Sequence, residues 1–422
     1  MADPHVKTPD DPLRSLDVKI AISTALVVIL AAACALVWRQ LGDETDGVPA
    51  AAESTPATSP AATSPAGTST GSDSCPRAEA PVRIAADPGV APALKTLAER
   101  YGALPVGDRT DCSRIRIDAV EARAMLDDLT APDRDPGAHG EHPAAWIPES
   151  SIWFAALSRS RSRHRARPVD GEPVSLVRSP VVLAVRPELA VAAHGDMNWF
   201  HVPSVTYAAA FQAYGHSDVL GSIRLAMPNR PRSDATALAA QAYAHQAYGR
   251  PGGLTLDAVR APNIDVGLRQ LVHAPPRAGD GGAVAAVRAM AEAADFSSSR
   301  IRSVPISEQR LFQITSGDRR ARVSIIRPRG ATPVLDYPVI DLAGSDPRAA
   351  AAVNAFLAFV KKPAQQKVFS AAGFRSAGPL PDATATVDFP ELRDVMPTAE
   401  PAAAVAVSEI VLPSAAPRRS KG

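Results

Sequence analysis

The sequence predicts an α/β domain built around a parallel sheet, preceded by one transmembrane helix and a disordered stalk. Strand-like and helix-like patterns alternate from Val82 onward, an uncharged apolar run lies near the amino end, and a stretch rich in Pro, Ala, Ser and Thr separates the two. The 422 residues suffice for two lobes and appendages. With 45 basic and 44 acidic residues the net charge is +1, which indicates no partner such as nucleic acid.

The first part of the folded region alternates strands with helices. Strands are predicted over residues 82–86, 114–120 and 144–147, and a helical pattern follows each of them. Right-handed crossovers place the three strand-to-helix loops at one edge of a parallel sheet, where such sheets bind ligands. The loops Asp87–Gly89 and Glu149–Ser151 are therefore predicted to line a pocket.

Several of the predicted pocket residues are serines that lie next to the start of a helix. Ser150 and Ser151 precede a helix, so their hydroxyls and the exposed N–H groups can hold an anion or a carboxylate. Ser307 and Glu308 lie on a later strand-to-helix turn, and Ser179 interrupts a long apolar strand over residues 173–186. The alternative for each serine is plain N-capping of the adjacent helix.

A basic loop before a long Ala-rich helix supplies another candidate. Arg230 can form charge-assisted hydrogen bonds to an acidic group of a ligand, with Ser233 beside it. The alternative is a helix cap by Ser233 or Asp234, with the arginine in solvent.

The amino-terminal apolar run is long enough to cross a bilayer. Residues 20–38 carry no charge and would span roughly 28 Å as a helix at about 1.5 Å per residue. Basic residues before the run and acidic residues after it favour a cytoplasmic amino end. A cleaved signal peptide, or a lipoprotein signal ending at Cys34, is the alternative. The prediction is a single-pass cell-membrane anchor with the folded region outside the cytoplasm.

The two remaining low-complexity stretches are predicted to be disordered. Residues 39–74 are dominated by small residues and proline and cannot bury enough apolar surface to order themselves, which indicates a stalk. Residues 381–422 are rich in Pro and Ala with weak periodicity, and are predicted to form a disordered tail.

Three cysteines bear on redox chemistry. Cys34 lies in the apolar run, whereas Cys75 and Cys112 each precede a predicted strand. In an oxidising extracytoplasmic setting a Cys75–Cys112 disulfide is expected, and two free buried thiols are the alternative. The spacing fits no zinc motif.

The sequence predicts neither a metal site nor a catalytic site. A loop rich in Gly and Pro collects two histidines and three carboxylates, but no helix fixes their geometry, so no metal is predicted there: Asp133, Asp135, His139, Glu141 and His142. The arginine-rich run 158–167 is interpreted as a solvated loop. The sequence has no zincin, P-loop or dinucleotide motif, so neither an enzyme nor a cofactor is predicted.

The closing segment has strong local signals. A helix is predicted to begin at Pro347 with Asp346 as its N-cap, and its apolar residues recur at helical spacing. Pro363 ends that helix and opens the next, which stops at Gly373 with Phe374 as the accompanying apolar contact.

This closing segment resembles that of type II periplasmic solute-binding proteins, especially the molybdate-binding branch and its actinobacterial membrane-anchored relatives. The resemblance covers roughly Pro81 to Pro379 and is also carried by residues 145–153, 178–183 and 306–309. Many relatives continue into a von Willebrand factor A domain, but the sequence ends soon after Arg375, so no such domain is predicted here. The molybdate branch binds its oxyanion through hydroxyls and backbone N–H groups, but here the first loop places the Asp87 carboxylate there, which would repel an anion.

The resemblance implies a two-lobed fold whose lobes close over a ligand by hinge motion at residues 173–186 and 334–341. The implied organisation is cytoplasmic terminus 1–19, anchor 20–38, stalk 39–74, lobe one 75–177 and 326–380, lobe two 178–325, and tail 381–422.

Two functions follow as hypotheses. The first is a membrane-anchored extracytoplasmic solute-binding protein for a small molecule, working with an ABC-type permease. The alternative is an envelope adaptor or sensor that uses the same fold to bind a protein or cell-wall component without a transporter.

Overall fold

The computed structural model describes residues 80–105, 113–131, 142–163, 173–193, 196–206, 221–229, 233–273, 282–317, 322–344 and 346–412. The predicted anchor, stalk and disulfide, together with Arg230, lie outside these residues. Among the helices within them, none is long and apolar enough to cross a bilayer.

The described residues form strands and helices in mixed order. The strands are β1 (Val82–Ala86), β2 (Ile115–Ala119), β3 (Ala145–Ile147), β4 (Val174–Ser175), β5 (Ser179–Val185), β6 (Ser303–Ser307), β7 (Ser324–Ile326), β8 (Val334–Leu335) and β9 (Pro338–Asp341). The helices are α1 (Ala91–Gly102), α2 (Ala122–Thr130), α3 (Ile152–Arg163), α4 (Pro187–Ala193), α5 (Val202–Thr206), α6 (Asp234–Tyr248), α7 (Leu256–Arg260), α8 (Pro262–His273), α9 (Gly282–Glu292), α10 (Glu308–Thr315), α11 (Pro347–Val360), α12 (Pro363–Ala371) and α13 (Pro401–Val411).

The first sheet has the strand order β2-β1-β3-β9-β4. Strand β1 pairs in parallel with both β2 and β3, which confirms the predicted parallel core, and β9 runs antiparallel to β3 and β4. Helices α1, α11 and α12 pack on one another beside this sheet, because each turns an apolar stripe inward, such as Leu94 and Leu97 of α1. Helices α2 and α3 pack on each other and share a core with Trp146 of β3. We call this sheet with its five helices lobe one.

The second sheet is antiparallel and centres on β5. Strand β5 pairs with β6, β7 and β8, and all seven of its residues are buried, as its unbroken apolar sequence predicts. Helices α4 to α10 come from the part of the chain that follows β5 and ends before β7. We call this sheet with its helices lobe two.

The chain crosses between the lobes at two adjacent points. Strands β4 and β5 belong to different sheets, so the long strand predicted over residues 173–186 divides at residues 176–178. Strands β8 and β9 likewise divide at residues 336–337. Both crossings fall inside the two predicted hinge segments.

The closing segment folds as its local signals predict. The Asp346 carboxylate accepts hydrogen bonds at 3.0 Å from the backbone N–H groups of Arg348 and Ala349, and so caps α11. Gly373 has φ +86° after α12, and the Phe374 side chain is fully buried.

The predicted disordered tail is wrong for residues 381–412. Val387 and Phe389 pack into the core of lobe two, where the Phe389 ring lies edge-on to Phe312 with centroids 5.6 Å apart. Helix α13 then buries small apolar side chains such as Ala403 and Val407. Small residues give a weak periodic signal in sequence, yet they allow a helix to pack closely against several neighbours.

Candidate functional site

Carboxylates from both lobes converge on one cavity. Asp87 follows β1, Glu121 follows β2 and Glu149 follows β3, so the three parallel strands deliver them to the same sheet edge. Asp234 reaches the cavity from the start of α6 in lobe two. The cavity has a volume of about 350 Å³, within the range of small-molecule sites. Its other lining residues are Ala122, Arg123, Ala124, Asp127 and Trp153.

The loop after β1 lies close to Tyr337 and Arg310. The Asp87 Oδ1 atom accepts the backbone N–H of Gly89 at 2.7 Å. A Cβ atom added to Gly89 would lie 3.0 Å from that oxygen, 3.7 Å from the Tyr337 hydroxyl and 3.9 Å from a guanidinium nitrogen of Arg310. Glycine therefore permits this close approach. Burial raises the pKa of Asp87 to about 6, although the Gly89 N–H opposes the rise.

Glu149 is tied to the second crossing through Tyr337. The Glu149 backbone oxygen accepts the Tyr337 N–H at 3.2 Å, and its side chain lies 3.5 Å from the Tyr337 hydroxyl. Burial raises the pKa of Glu149 well above its usual range, and the neighbouring Asp87 charge raises it further. Two acids in one cavity are thus held where ionisation is costly.

The crossings themselves are joined to the cavity wall. Tyr337 is fully buried and has φ +39°, an uncommon conformation for a bulky residue. The neighbouring Asp336 carboxylate accepts the Ser151 N–H at 2.8 Å, and the Ser175 hydroxyl donates to the Asp336 backbone oxygen at 2.6 Å. The start of α3 and both crossings therefore form one hydrogen-bonded unit.

A hydrogen bond joins the two lobes at the cavity wall. The Trp153 indole N–H, in the first turn of α3, donates to Asp234 Oδ2 at 2.6 Å, and Asp234 is only 3% exposed. Ser233 is the N-cap of α6, since its hydroxyl accepts the Thr236 N–H. Asp234 is thus not needed as the cap, and its carboxylate turns into the cavity wall.

Most of the predicted hydroxyl candidates act as helix caps. The Ser150 hydroxyl accepts the Ile152 N–H at 3.3 Å, Ser179 accepts the Gln309 N–H at 3.0 Å, and Ser307 accepts the Arg310 N–H at 3.2 Å. None of these serines lines the cavity formed by the described residues, nor does Ser151. Asp87 lines it and Gly89 adjoins it.

Glu308 serves as the anchor of a buried ion pair. Its side chain is fully buried, and its two oxygens accept from Arg375 at 2.7 and 3.1 Å, while Arg327 donates to it at 3.0 Å. A carboxylate committed to two arginines is not available to a ligand, so this arrangement argues against the predicted ligand role.

The cavity residues that were not predicted as ligand contacts include Glu121, Trp153 and Asp234. The position of Glu121 directly after the second parallel strand is the same signal that identified Asp87 and Glu149. Nothing local in the sequence indicates that Trp153 meets Asp234, which lies 81 residues further on.

Acidic groups outnumber basic groups around the cavity. Arg123 is engaged by Asp127 at 2.9 Å, which leaves Arg310 beside the Asp87, Glu121, Glu149 and Asp234 carboxylates. Within the described residues no group of three or more His, Cys, Asp or Glu side chains has the geometry to hold a metal ion. Chemically, such walls suit the ammonium or guanidinium group of an organic molecule.

Ser307→Ala is expected to lower the free energy of unfolding by about 1 kcal/mol, because it removes the N-cap of α10. Chemical denaturation measures this loss, with the exposed Ser204→Ala as the control. Solute affinity should stay unchanged. A loss of solute affinity with unchanged stability would instead show that Ser307 contacts the solute.

Comparison with known proteins connects this geometry to a family. The sequence profile described as "Bacterial extracellular solute-binding protein" matches residues 82–375. A protein of Mycobacterium tuberculosis (strain ATCC 25618 / H37Rv), called uncharacterized protein Rv1836c, is 28% identical over 389 residues, which are 90% of this chain and 52% of that protein. The chain therefore spans about half the length of this relative.

Solved structures share the fold at low sequence identity. Iron-bound HitA from Pseudomonas aeruginosa aligns with a TM-score of 0.53 and 12% identity, covering 79% of this chain and 98% of that one. A ferric binding protein from Campylobacter jejuni aligns with a TM-score of 0.52 and 11% identity, covering 78% and 97%. These likenesses establish the mixed α/β architecture, and the solutes named are those of the two other proteins.

Proposed function

Since this chain belongs to the bacterial extracellular solute-binding proteins, a family of binding proteins and not enzymes, we propose that it takes up a small solute in the cavity between its lobes. The observation that carries the proposal is the convergence of Asp87, Glu121 and Glu149 from lobe one with Asp234 from lobe two. A site built from both lobes gives a ligand contacts that exist only when the lobes are together, and this favours closure by hinge motion.

We further propose that the solute is a small organic cation. The carboxylates outnumber the cationic groups around the cavity, and an ammonium or guanidinium group would offset charges that burial now disfavours. An oxyanion, which the resemblance to the molybdate-binding branch would imply, would meet these carboxylates. The iron named for two structural neighbours is not carried over, because the donors here surround a volume of about 350 Å³ that suits a molecule.

The setting of this activity is also a proposal. Residues 20–38 would anchor the chain in the cell membrane, residues 39–74 would hold the binding domain away from the bilayer, and an ABC-type permease would receive the solute. The predicted Cys75–Cys112 disulfide fits the same extracytoplasmic setting.

A thermal-shift screen of the full chain tests the proposed solute class. The probes are organic amines and guanidines, with sulfate, phosphate and neutral sugars at matched ionic strength. A cation at about 100 times its Kd should add about 2.7 kcal/mol to the free energy of unfolding. A shift by an anion alone would contradict the cationic assignment. A flat response to every probe would favour the envelope adaptor that binds a protein or a cell-wall component.

A further inference from the structure

The carboxyl-terminal helix α13 packs against both lobes. It contacts α3 of lobe one and also α6, α7 and α8 of lobe two. The helix is short and its buried face is made of small residues, which lets it lie close to all four neighbours: Ala403, Ala404, Val407, Ser408 and Val411. It is therefore a link between the lobes that is separate from the two chain crossings.

The start of α13 is fastened to lobe two. The Glu400 backbone N–H donates to the Leu254 backbone oxygen at 2.9 Å, and the Glu400 carboxylate accepts the Leu256 N–H at 3.2 Å. Just before this point, the Thr398 carbonyl lies so close to Gly253 that any Cβ atom there would collide with it. These contacts fix where the helix begins relative to α7.

The opposite side of α13 meets the helix that carries Trp153. Arg159 of α3, Val272 of α8 and Ile410 of α13 line a common groove of about 600 Å³, so the three helices converge there. Trp153 lies in the first turn of α3, lines the solute cavity and donates to Asp234. A helix that supports α3 thus also supports one wall of the cavity.

We infer that α13 is a strap that positions α3, and with it Trp153, against lobe two and so holds the cavity closed. When the lobes open by rotation at the two crossings, α3 moves away from α6. Helix α13 cannot then remain in contact with both helices. Because its start is hydrogen-bonded to lobe two, the contact with α3 is the one that releases. The strap would set the balance between the open and closed forms whatever the solute is.

Fluorine NMR of the full chain labelled with 5-fluorotryptophan tests the strap. Val407 is fully buried, so Val407→Asp should detach α13 and give Trp153 a second, open-state resonance. The Trp153 signal is assigned with Trp153→Phe. An unmoved Trp199 signal shows that lobe two remains folded, and protected amides of β1 show the same for lobe one. Trp146 does not serve as a reference, because its ring centroid lies 6.5 Å from that of Trp153. Val405→Asp, at a half-buried position of the same helix that lines neither the groove nor the core, is the matched control and should leave the spectrum unchanged.

Hydrogen exchange provides the second readout and a second variant. Amides of residues 152–163 should exchange about tenfold faster in Val407→Asp, while those of β1 keep their protection. If Val407→Asp unfolds the protein, Gly253→Ala takes its place as the test variant. It displaces Thr398, just before α13, and leaves the residues of α13 unaltered, so it should give the same changes in resonance and exchange. An unchanged Trp153 resonance with unchanged exchange in a folded variant would overturn the inference. Solute binding plays no part in either readout, so the proposed function is tested separately.

Discussion

Arg375→Ala is expected to lower the free energy of unfolding by about 3–5 kcal/mol, because it leaves a buried carboxylate without its main partner. Arg375 is 7% exposed and donates to both oxygens of the fully buried Glu308, and only Arg327 would remain to compensate that charge. Arg375 also pairs through its backbone with Arg178, next to the first crossing. The loss should therefore weaken the region where the lobes join. Urea denaturation measures it.

The control for this prediction is an exposed ion pair. Arg393 is paired with Glu391 at 3.3 Å, with side chains 86% and 77% exposed, so Arg393→Ala should change stability by about 0–1 kcal/mol. The double variant Glu308→Gln/Arg375→Met removes both buried charges and should recover much of the loss. If Arg375→Ala cost no more than Arg393→Ala, the buried pair would not be the constraint inferred here.

Asp87→Asn is expected to stabilise the solute-free protein at pH 7.5. The pKa of Asp87 rises from 3.8 to about 6 in the fold because burial disfavours its charged form. At about 1.36 kcal/mol per pKa unit, ionising this buried group costs up to about 3 kcal/mol of stability at neutral pH. Asparagine retains the oxygen that accepts the Gly89 N–H and carries no charge. Thermal and urea unfolding should both show the gain.

The stability gained by Asp87→Asn should depend on pH. Between pH 3.8 and about 6 the folded protein binds a proton that the unfolded chain has released, so the Asp87 contribution to stability improves as pH falls. The advantage of Asp87→Asn should thus be largest above pH 6 and vanish near pH 4. Asp295, whose hydrogen bonds from Ser297 and Ser298 lower its pKa to about 2, should show the opposite pH trend on conversion to Asn. A destabilised Asp87→Asn at pH 7.5 would mean that this carboxylate is compensated in the fold.

The parts of the fold that depend on local chemistry could be predicted from sequence. Each of these features depends on a few adjacent residues: the N-cap at Asp346, the end of a helix at Gly373, and the alternation of strands and helices from β1 to β3. The sheet-edge rule also predicted that Asp87 and Glu149 lie at the same edge of the sheet, because it follows from the handedness of crossovers and not from any contact.

The parts that depend on distant partners could not be predicted. Glu308 has the position of a ligand residue after β6, and only the fold shows that Arg375, 67 residues away, occupies it. Helix α13 has the composition of a tail, and its order comes from the surfaces of α3 and α6 to α8. Burial is decided by what packs against a segment, which composition alone does not contain.

Calorimetric titration of the best organic cation from the screen tests the central claim most directly. At pH 7.5 the wild-type chain should bind it with one site, and Asp87→Asn and Glu149→Gln should each bind it about 10- to 100-fold more weakly, since each removes one partner of a cationic group. Ser307→Ala should bind it as the wild type does. Equal affinity in all four proteins, or a sulfate or phosphate that binds in place of the cation, would contradict an acidic solute site between the lobes.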